Sequence, residues 1–443
     1  MSGRSLVWLC IIVTIATMFY KLTPMVAQQD SLYRTYAPLV EVDALIHRQF
    51  VQPVRGRRLI DGAIRGMMLQ LDRYSGYVSP DQMPAFLRRH SSGYVGIGVE
   101  LGVVQDAVMV ISPTEHGPAA VAGIRPGDVI LNIDGRSTKN LSAFDVEGML
   151  VGESGTRVTL TVRHASGETE DLTIERAFVA FTPVKGVRKD AQGEWNYMLD
   201  PVRRIGYIRV SSFRHGMIQD FDAALGELIR RRVAGIVLDL RFNPGGLLPQ
   251  AVAMVDRFVD SGLILKTITR HGAVDTYVAT RQATRLSKDV PVAVLVNGSS
   301  ASAAEIVTGA LQDHERAVIV GERTFGKGSV QHFIQLHGED AGVRLTVAYY
   351  QIPSGRIIHK TSTNADSDAW GVTPDLVVPL EESEYDAIRR RRTAVDRQAD
   401  PAGPPQADSD DAESSSILID RQLRAAVNSL ATSVADGRLP TGD

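Results

Sequence analysis

The stretch PVAVLVNGSSASAAEI, residues 291–306, sets an unbroken apolar run directly against a crowd of Gly, Ser and Ala. The run PVAVLV reads as a fully buried strand, and SAAEIVTGALQD after it reads as an amphipathic helix. The same alternation extends to both sides. IGYIRVSSF (Ile205 to Phe213) is a strand, and MIQDFDAALGELIRRR is a helix with Ile218, Phe221, Leu225, Leu228 and Ile229 on one face. GIVLDL, PQAVAMVDRFV and AVIVG continue as strand, helix and strand. Short apolar strands alternating with helices predict βαβ crossovers and a largely parallel sheet. Sites form at the carboxyl ends of such strands. Both small-residue segments fall there, RFNPGG after GIVLDL and NGSSAS after PVAVLV.

Outside this α/β core the periodicity changes. In SSGYVGIGVELGVVQDAVMVISP, from Ser91, glycines interrupt a β-like run. PAAVAGIRPGDVILNIDG follows, with a turn at Pro126-Gly127-Asp128 and a strand ending in the hairpin signal Asp134-Gly135. A helix is predicted over Ser142–Val151, with Ser142 as its cap and Asp145 three residues on. The strands TRVTLTVRHA and ETEDLTIERA close this module near Arg176. Upstream, Leu32 to Leu71 reads as helical, and Ile60, Ile64, Met67, Met68 and Leu71 form an apolar face suited to the core or to a second subunit. Residues 1–27 carry Arg4 and then an apolar run, Ser5 to Tyr20, which reads as an export signal, cleaved or retained as an anchor. The body is therefore expected outside the cytoplasm, in the periplasm or cell envelope, secreted or tethered to the inner membrane. Cys10, within that run, is the single cysteine, so the body holds no disulfide. The predicted divisions are 28–90 helical, 91–178 β-rich, 179–390 α/β core, 391–416 disordered linker and 417–443 C-terminal helix and tail. Leu423, Val427, Leu430 and Val434 keep helical register in the last of these.

The charge balance excludes several classes. A net charge of -3 gives no electrostatic reason for a nucleic-acid partner. The dense basic run Arg389 to Arg392 is flanked by acids and is expected to solvate a helix end or linker. The 10 histidines are scattered, with no ligand spacing for a metal, and no cofactor is implied. GERTFGK, Gly321 to Lys327, begins like a phosphate loop but has Gly328 where a Ser or Thr hydroxyl is needed, and a strand pattern follows.

Nucleophilic catalysis suits the small-residue turn better. A serine hydroxyl needs a base. His314 stands at the far end of the helix that Ser302 opens, about 18 Å away by helical rise. Lysine serves instead where burial disfavours its ammonium form. Lys327, in a Gly-flanked turn after AVIVG, follows the strand next in the alternation. Ser302 sits at a helix N-terminus, where free N–H groups favour developing negative charge, so the N–H of Ala303 is a candidate oxyanion donor. Gly245 and Gly246 are candidates for the second donor.

Two resemblances sharpen this reading. GYVGIGVE with AGIRPGDVILNIDG resembles a PDZ domain of the circularly permuted bacterial type. That implies a cradle for a chain-terminal carboxylate at Gly96, Ile97, Gly98 and Val99, with the peptide adding as a strand. LDLRFNPGGLL, NGSSASAAEIVTGALQDHERAVIVGERTFGKGSVQ and YYQIPSGRIIH resemble the carboxy-terminal processing protease family of Ser-Lys peptidases over Leu39 to Leu380. The resemblance implies a multidomain α/β protein with a crotonase/ClpP-like core. It implies Ser302 as nucleophile, Lys327 as general base and Gln331 as the residue orienting the lysine. Ser302 is chosen over Ser299 and Ser300 by its place in S-A-S-x-x-E. The implied partners are proteins or peptides with free C-termini, with assembly through the helical arm. Phe242 stands where Asn is frequent in the family, and Arg73 where proline is usual. A PDZ scaffold without catalysis is the alternative.

Overall fold

The computed structural model describes residues 34–397 and 420–436, apart from short stretches at 84–85, 88–92, 105–106, 115–116, 126, 140, 142, 165, 191, 362, 365–366 and 368. The export-signal reading, the Ser142 cap and most of the predicted linker lie outside the described residues. Among the described residues no helix is long and apolar enough to cross a membrane.

Two compact units divide the chain. The smaller comprises residues up to Ser79 together with Phe333–Leu345. Its arm is two helices, 34–49 and Gly56–Leu69, where the sequence suggested one. Pro53 lies in the break, where its missing N–H and fixed φ disfavour a continuous helix. Gly76–Val78 pairs antiparallel with 342–344. Met68, Tyr77 and Ala341 make a small core, joined by Ile64. Ile60, Met67 and Leu71 are exposed, and Leu71 falls beyond the helix end, so the predicted apolar face is only partly used.

The larger unit carries both remaining modules. In the β-rich one, Val99–Val104, Ala107–Pro113, Val129–Ile133, Arg157–Arg163 and Thr169–Glu175 form an antiparallel sheet in that order. The predicted hairpin forms, with Asp134 and Gly135 both at positive φ and Ile133 opposite Arg136. Inward-facing Val108, Val110, Ile130, Ile133, Val158, Leu160 and Val162 build the core, and helix Ala143–Leu150 adds Val146 and Leu150.

The α/β module is the parallel sheet that the alternation predicts. Its strands are β1 (Ile205–Val210), β2 (Gly235–Asp239), β3 (Val292–Val296), β4 (Val318–Gly321) and the short β5 (Leu376–Val377), all parallel in that spatial order. Helices α1 (Met217–Arg230), α2 (Leu248–Asp256) and α3 (Ala303–Asp313) cover one face. Of the predicted α1 face, Ile218, Phe221, Leu225 and Leu228 are buried, while Ile229 lies at the edge. The other face is covered by the C-terminal helix α5 (Arg421–Asp436). Its Leu423, Ala426, Val427 and Leu430 pack on Val237, Ala293, Leu295 and Val320. Helix α4 (Glu382–Arg397) corrects two readings. Residues 391–397 are helical where a linker was expected. The run Arg389–Arg392 is not simply solvated, because Arg392 ion-pairs with buried Asp239.

Because α5 is a full layer of the core, Leu430→Ala should lower stability by about 2–5 kcal/mol, measured by denaturant unfolding. A change within error would show that this helix is not part of the folded core.

Candidate active site

Three loops leave the carboxyl ends of the adjacent strands β2, β3 and β4, so the register of the sheet places them side by side. The β2 loop is Arg241-Phe242-Asn243-Pro244-Gly245-Gly246. The β3 loop is Asn297 to Ser302, and the β4 loop runs from Glu322 to Gly328.

Ser302 is buried and caps α3, with φ 57° and ψ -115°. A left-handed φ at a non-glycine residue costs about 1–3 kcal/mol and persists only where surrounding contacts enforce it. Those contacts are identifiable. The neighbouring Ala301 N–H donates to the Asn243 carbonyl at 2.9 Å. The Ser302 N–H donates to Glu305 Oε2 at 2.8 Å. Ser300 is excluded as a nucleophile by its own bonds, since its hydroxyl donates to the Leu240 carbonyl at 2.8 Å and accepts from Asn297 N–H at 3.0 Å. Ser299 points outward as an exposed residue of the turn.

Glu305, which the sequence reading used only to fix the register of the serine, is the hub of the site. Its side chain is fully buried. Oε1 accepts from Thr324 Oγ1 at 2.6 Å and Gly326 N–H at 2.7 Å. Oε2 accepts from Ser302 N–H and from Lys327 N–H at 2.7 Å. The backbone nitrogens of Ser302 and Lys327 thus lie within two hydrogen-bond lengths of each other. Burial pushes the Glu305 carboxyl above its ordinary range, and these four donors offset only part of that shift. The signal was present in the sequence as Ser-x-x-Glu, a capping-box spacing. What it could not reveal is that the same carboxylate also binds the β4 loop.

Around Ser302 the predicted residues take different positions. The N–H of Ala303 opens α3 and makes no hydrogen bond among the described residues. Gly245 has φ 95°, and a Cβ there would come within 2.7 Å of Ser302 Cβ and 2.9 Å of Ala303 N. Its own N–H, however, donates to Asn243 Oδ1 at 2.8 Å. Gly245 therefore supplies room and not a donor, which corrects the expectation. Gly246 has φ 147°, with the Phe213 carbonyl 2.2 Å from where a Cβ would sit, and its N–H has no acceptor among the described residues. Lys327 is half-buried between Gly326 and Gly328. Gln331 donates its amide to Ser329 Oγ at 2.8 Å and Thr346 Oγ1 at 3.3 Å. Tyr350, unsignalled in the sequence, is buried beside Ser302, and burial pushes its phenol up to about 12. His314 ends α3 and bonds the Leu263 carbonyl at 2.7 Å, a structural role as expected. Among the described residues no cluster of His, Cys, Asp and Glu is arranged to hold a metal ion.

In the β-rich module, Gly96 ends the strand Gly93–Gly96 and Val99 begins the next. Ile97 is fully buried and Gly98 has φ 76°. Carbonyls of Ile97 and Gly98 accept from Ala119 and Thr114 at 2.8 Å. The backbone of Val99 and Gly98 faces the oxygen of Tyr94, whose phenol is raised chiefly by burial.

Residues 204–378 match Peptidase family S41, and residues 95–175 match the PDZ domain. A carboxy-terminal-processing protease of Bartonella bacilliformis is 35% identical over 361 residues, 80% of this chain and 78% of that protein. The chain belongs to the carboxy-terminal processing proteases of family S41. A chloroplastic C-terminal processing peptidase of Tetradesmus obliquus is 35% identical over 71% of this chain and 69% of its own length. A solved photosystem II D1 C-terminal processing protease is 34% identical over 75% of this chain and 84% of its own, with a TM-score of 0.43. This S41 chain is a serine peptidase with a PDZ domain, as the resemblance implied.

Replacing Glu305 with Gln in this peptidase leaves one acceptor oxygen for four donors. Glu305→Gln should therefore cost about 1–3 kcal/mol for each donor left unsatisfied and remove most proteolysis. Thermal melting and peptide cleavage measure the two effects. A variant with unchanged rate would show that the two loops do not depend on this carboxylate.

Proposed function

We propose that the protein is an endopeptidase that takes protein C-terminal tails on its PDZ domain and cleaves them with a Ser302–Lys327 dyad. The observation that carries this reading is the shared Glu305 oxygen, which seats the backbones of Ser302 and Lys327 together. Ser302 attacks the scissile carbonyl as its proton passes to the neutral Lys327 amine, and the lysine returns that proton to the leaving amine. Water, deprotonated by the same amine, then releases the acyl group. The oxyanion of each tetrahedral intermediate lies at the N–H groups of Ala303 and Gly246. Gln331 steadies the lysine side of the site. The tail's carboxylate is held at Ile97, Gly98 and Val99, next to Gly96. The site acts outside the cytoplasm, and the exposed apolar residues of the arm, Ile60 and Met67 among them, serve assembly.

Ser302→Ala and Lys327→Ala should each abolish cleavage of an unstructured peptide with a free C-terminus while leaving the melting transition in place. Sustained cleavage by either variant refutes the dyad. Tyr94→Phe removes the oxygen that faces the backbone of Gly98 and Val99. In a Ser302→Ala background it should tighten binding of a free-C-terminus peptide roughly threefold or more, measured by calorimetry beside the amidated peptide. Weaker binding, or equal affinity for both peptides, would count against the cradle.

A further inference from the structure

The family match ends at residue 378. Beyond it, α4 and α5 both bear on the strand end from which the Asn243–Gly246 loop leaves. Arg241, almost fully buried, begins that loop and lies against two carboxylates. Its Nη2 is 2.8 Å from Asp239 Oδ2 and 2.8 Å from Asp420 Oδ2. Its Nη1 donates to Asp420 Oδ1 at 3.0 Å and to Gln422 Oε1 at 3.1 Å. Gln422 in turn donates to the Val378 carbonyl at 2.8 Å. Asp239 is also the partner of Arg392, at 2.5 Å, and accepts from the Tyr207 hydroxyl at 2.8 Å. Without Asp420, one carboxylate would face two guanidinium groups, and the buried Arg241 would be only half compensated.

From Arg241 the connection to the site is short and rigid. Phe242 is held at φ 64°, its N–H on Asn297 Oδ1 at 3.0 Å. Its ring lies edge-on to Tyr385 and beneath the guanidinium groups of Arg389 and Arg392. A left-handed φ suits the Asn frequent in the family better than it suits Phe, so this chain holds the turn with α4 instead. Asn243 then donates to the Val210 carbonyl at 2.8 Å and accepts the Ala301 N–H beside Ser302.

We propose that Asp420 is a positioning residue for the peptidase reaction: by ion-pairing Arg241 it fixes the strand end that sets Gly245 and Gly246 against Ser302. The inference rests on the catalytic reading given above. Asp420 has a second, separable duty, because its Oδ1 also accepts the Leu423 N–H at 3.0 Å and so caps α5. Asn caps a helix as well as Asp does, so Asp420→Asn keeps the cap while it removes the charge and turns the oxygen facing Arg241 Nη2 into an NH2 donor.

The test uses full-length protein with a free-C-terminus peptide and a serine-directed fluorophosphonate. Asp420→Asn should lower kcat roughly 10- to 100-fold, the range for a small misplacement of catalytic groups. KM should stay within about twofold and fluorophosphonate labelling should slow in step with kcat. Asp420→Glu should recover much of the loss. The inference fails if Asp420→Asn keeps the wild-type kcat. It also fails if kcat falls only as far as the folded fraction does. Wild-type protein that neither cleaves the peptide nor labels at Ser302 would instead overturn the catalytic reading itself.

Discussion

One buried carboxylate holds the candidate active site together. Glu305 sits where water cannot reach it, and each of its two oxygens takes two donors, both from the β4 loop on Oε1 and one each from Ser302 and Lys327 on Oε2. A buried carboxyl group in that position is tolerable only because all four hydrogen bonds are present at once. The result is a backbone-to-carboxylate bond network that defines where Ser302 and Lys327 begin, with few side-chain torsions left to fix. It also accounts for the left-handed turn at Ser302. The strained conformation is trapped between the Glu305 bond on its own N–H and the Asn243 bond on the residue before it.

Around this hub the small residues have distinct duties. Gly245 lets the β2 loop touch the serine turn, Gly246 lets it pass the Phe213 carbonyl, and Ala303 leaves a bare N–H at the start of α3. At Gly245 and Gly246 a Cβ would come within 3 Å of neighbouring atoms, so no residue with a side chain fits there unless something shifts. The parallel sheet contributes the rest, since adjacent parallel strands deliver their loops to one edge without further constraint.

The strands and helices of the core were legible because apolar periodicity is a local property, and β1 to β4 are buried on both faces. The PDZ strands and the Asp134-Gly135 hairpin were legible for the same reason, together with their turn chemistry. What stayed hidden was pairing across long separations. The Ser-x-x-Glu spacing announces a helix start, yet nothing near Glu305 announces its bonds to Thr324, Gly326 and Lys327. The basic run at Arg389–Arg392 looks like a solvated helix face until Asp239 and Phe242 are known to lie beneath it. Gly245 looked like a donor because sequence cannot show that Asn243 already takes its N–H. Leu71 looked helical because its spacing was right, although the helix ends at Leu69.

The Arg241–Asp420 pair spans 179 positions of the chain. A polypeptide emerging from the ribosome carries its serine, its lysine and its glycine loop long before it carries the partner of Arg241. Until α5 is made, one face of the parallel sheet lacks its cover and Arg241 beneath the loop has Asp239 alone as counter-charge. The strand end beneath the Asn243–Gly246 loop therefore gains its second carboxylate only once α5 is in place.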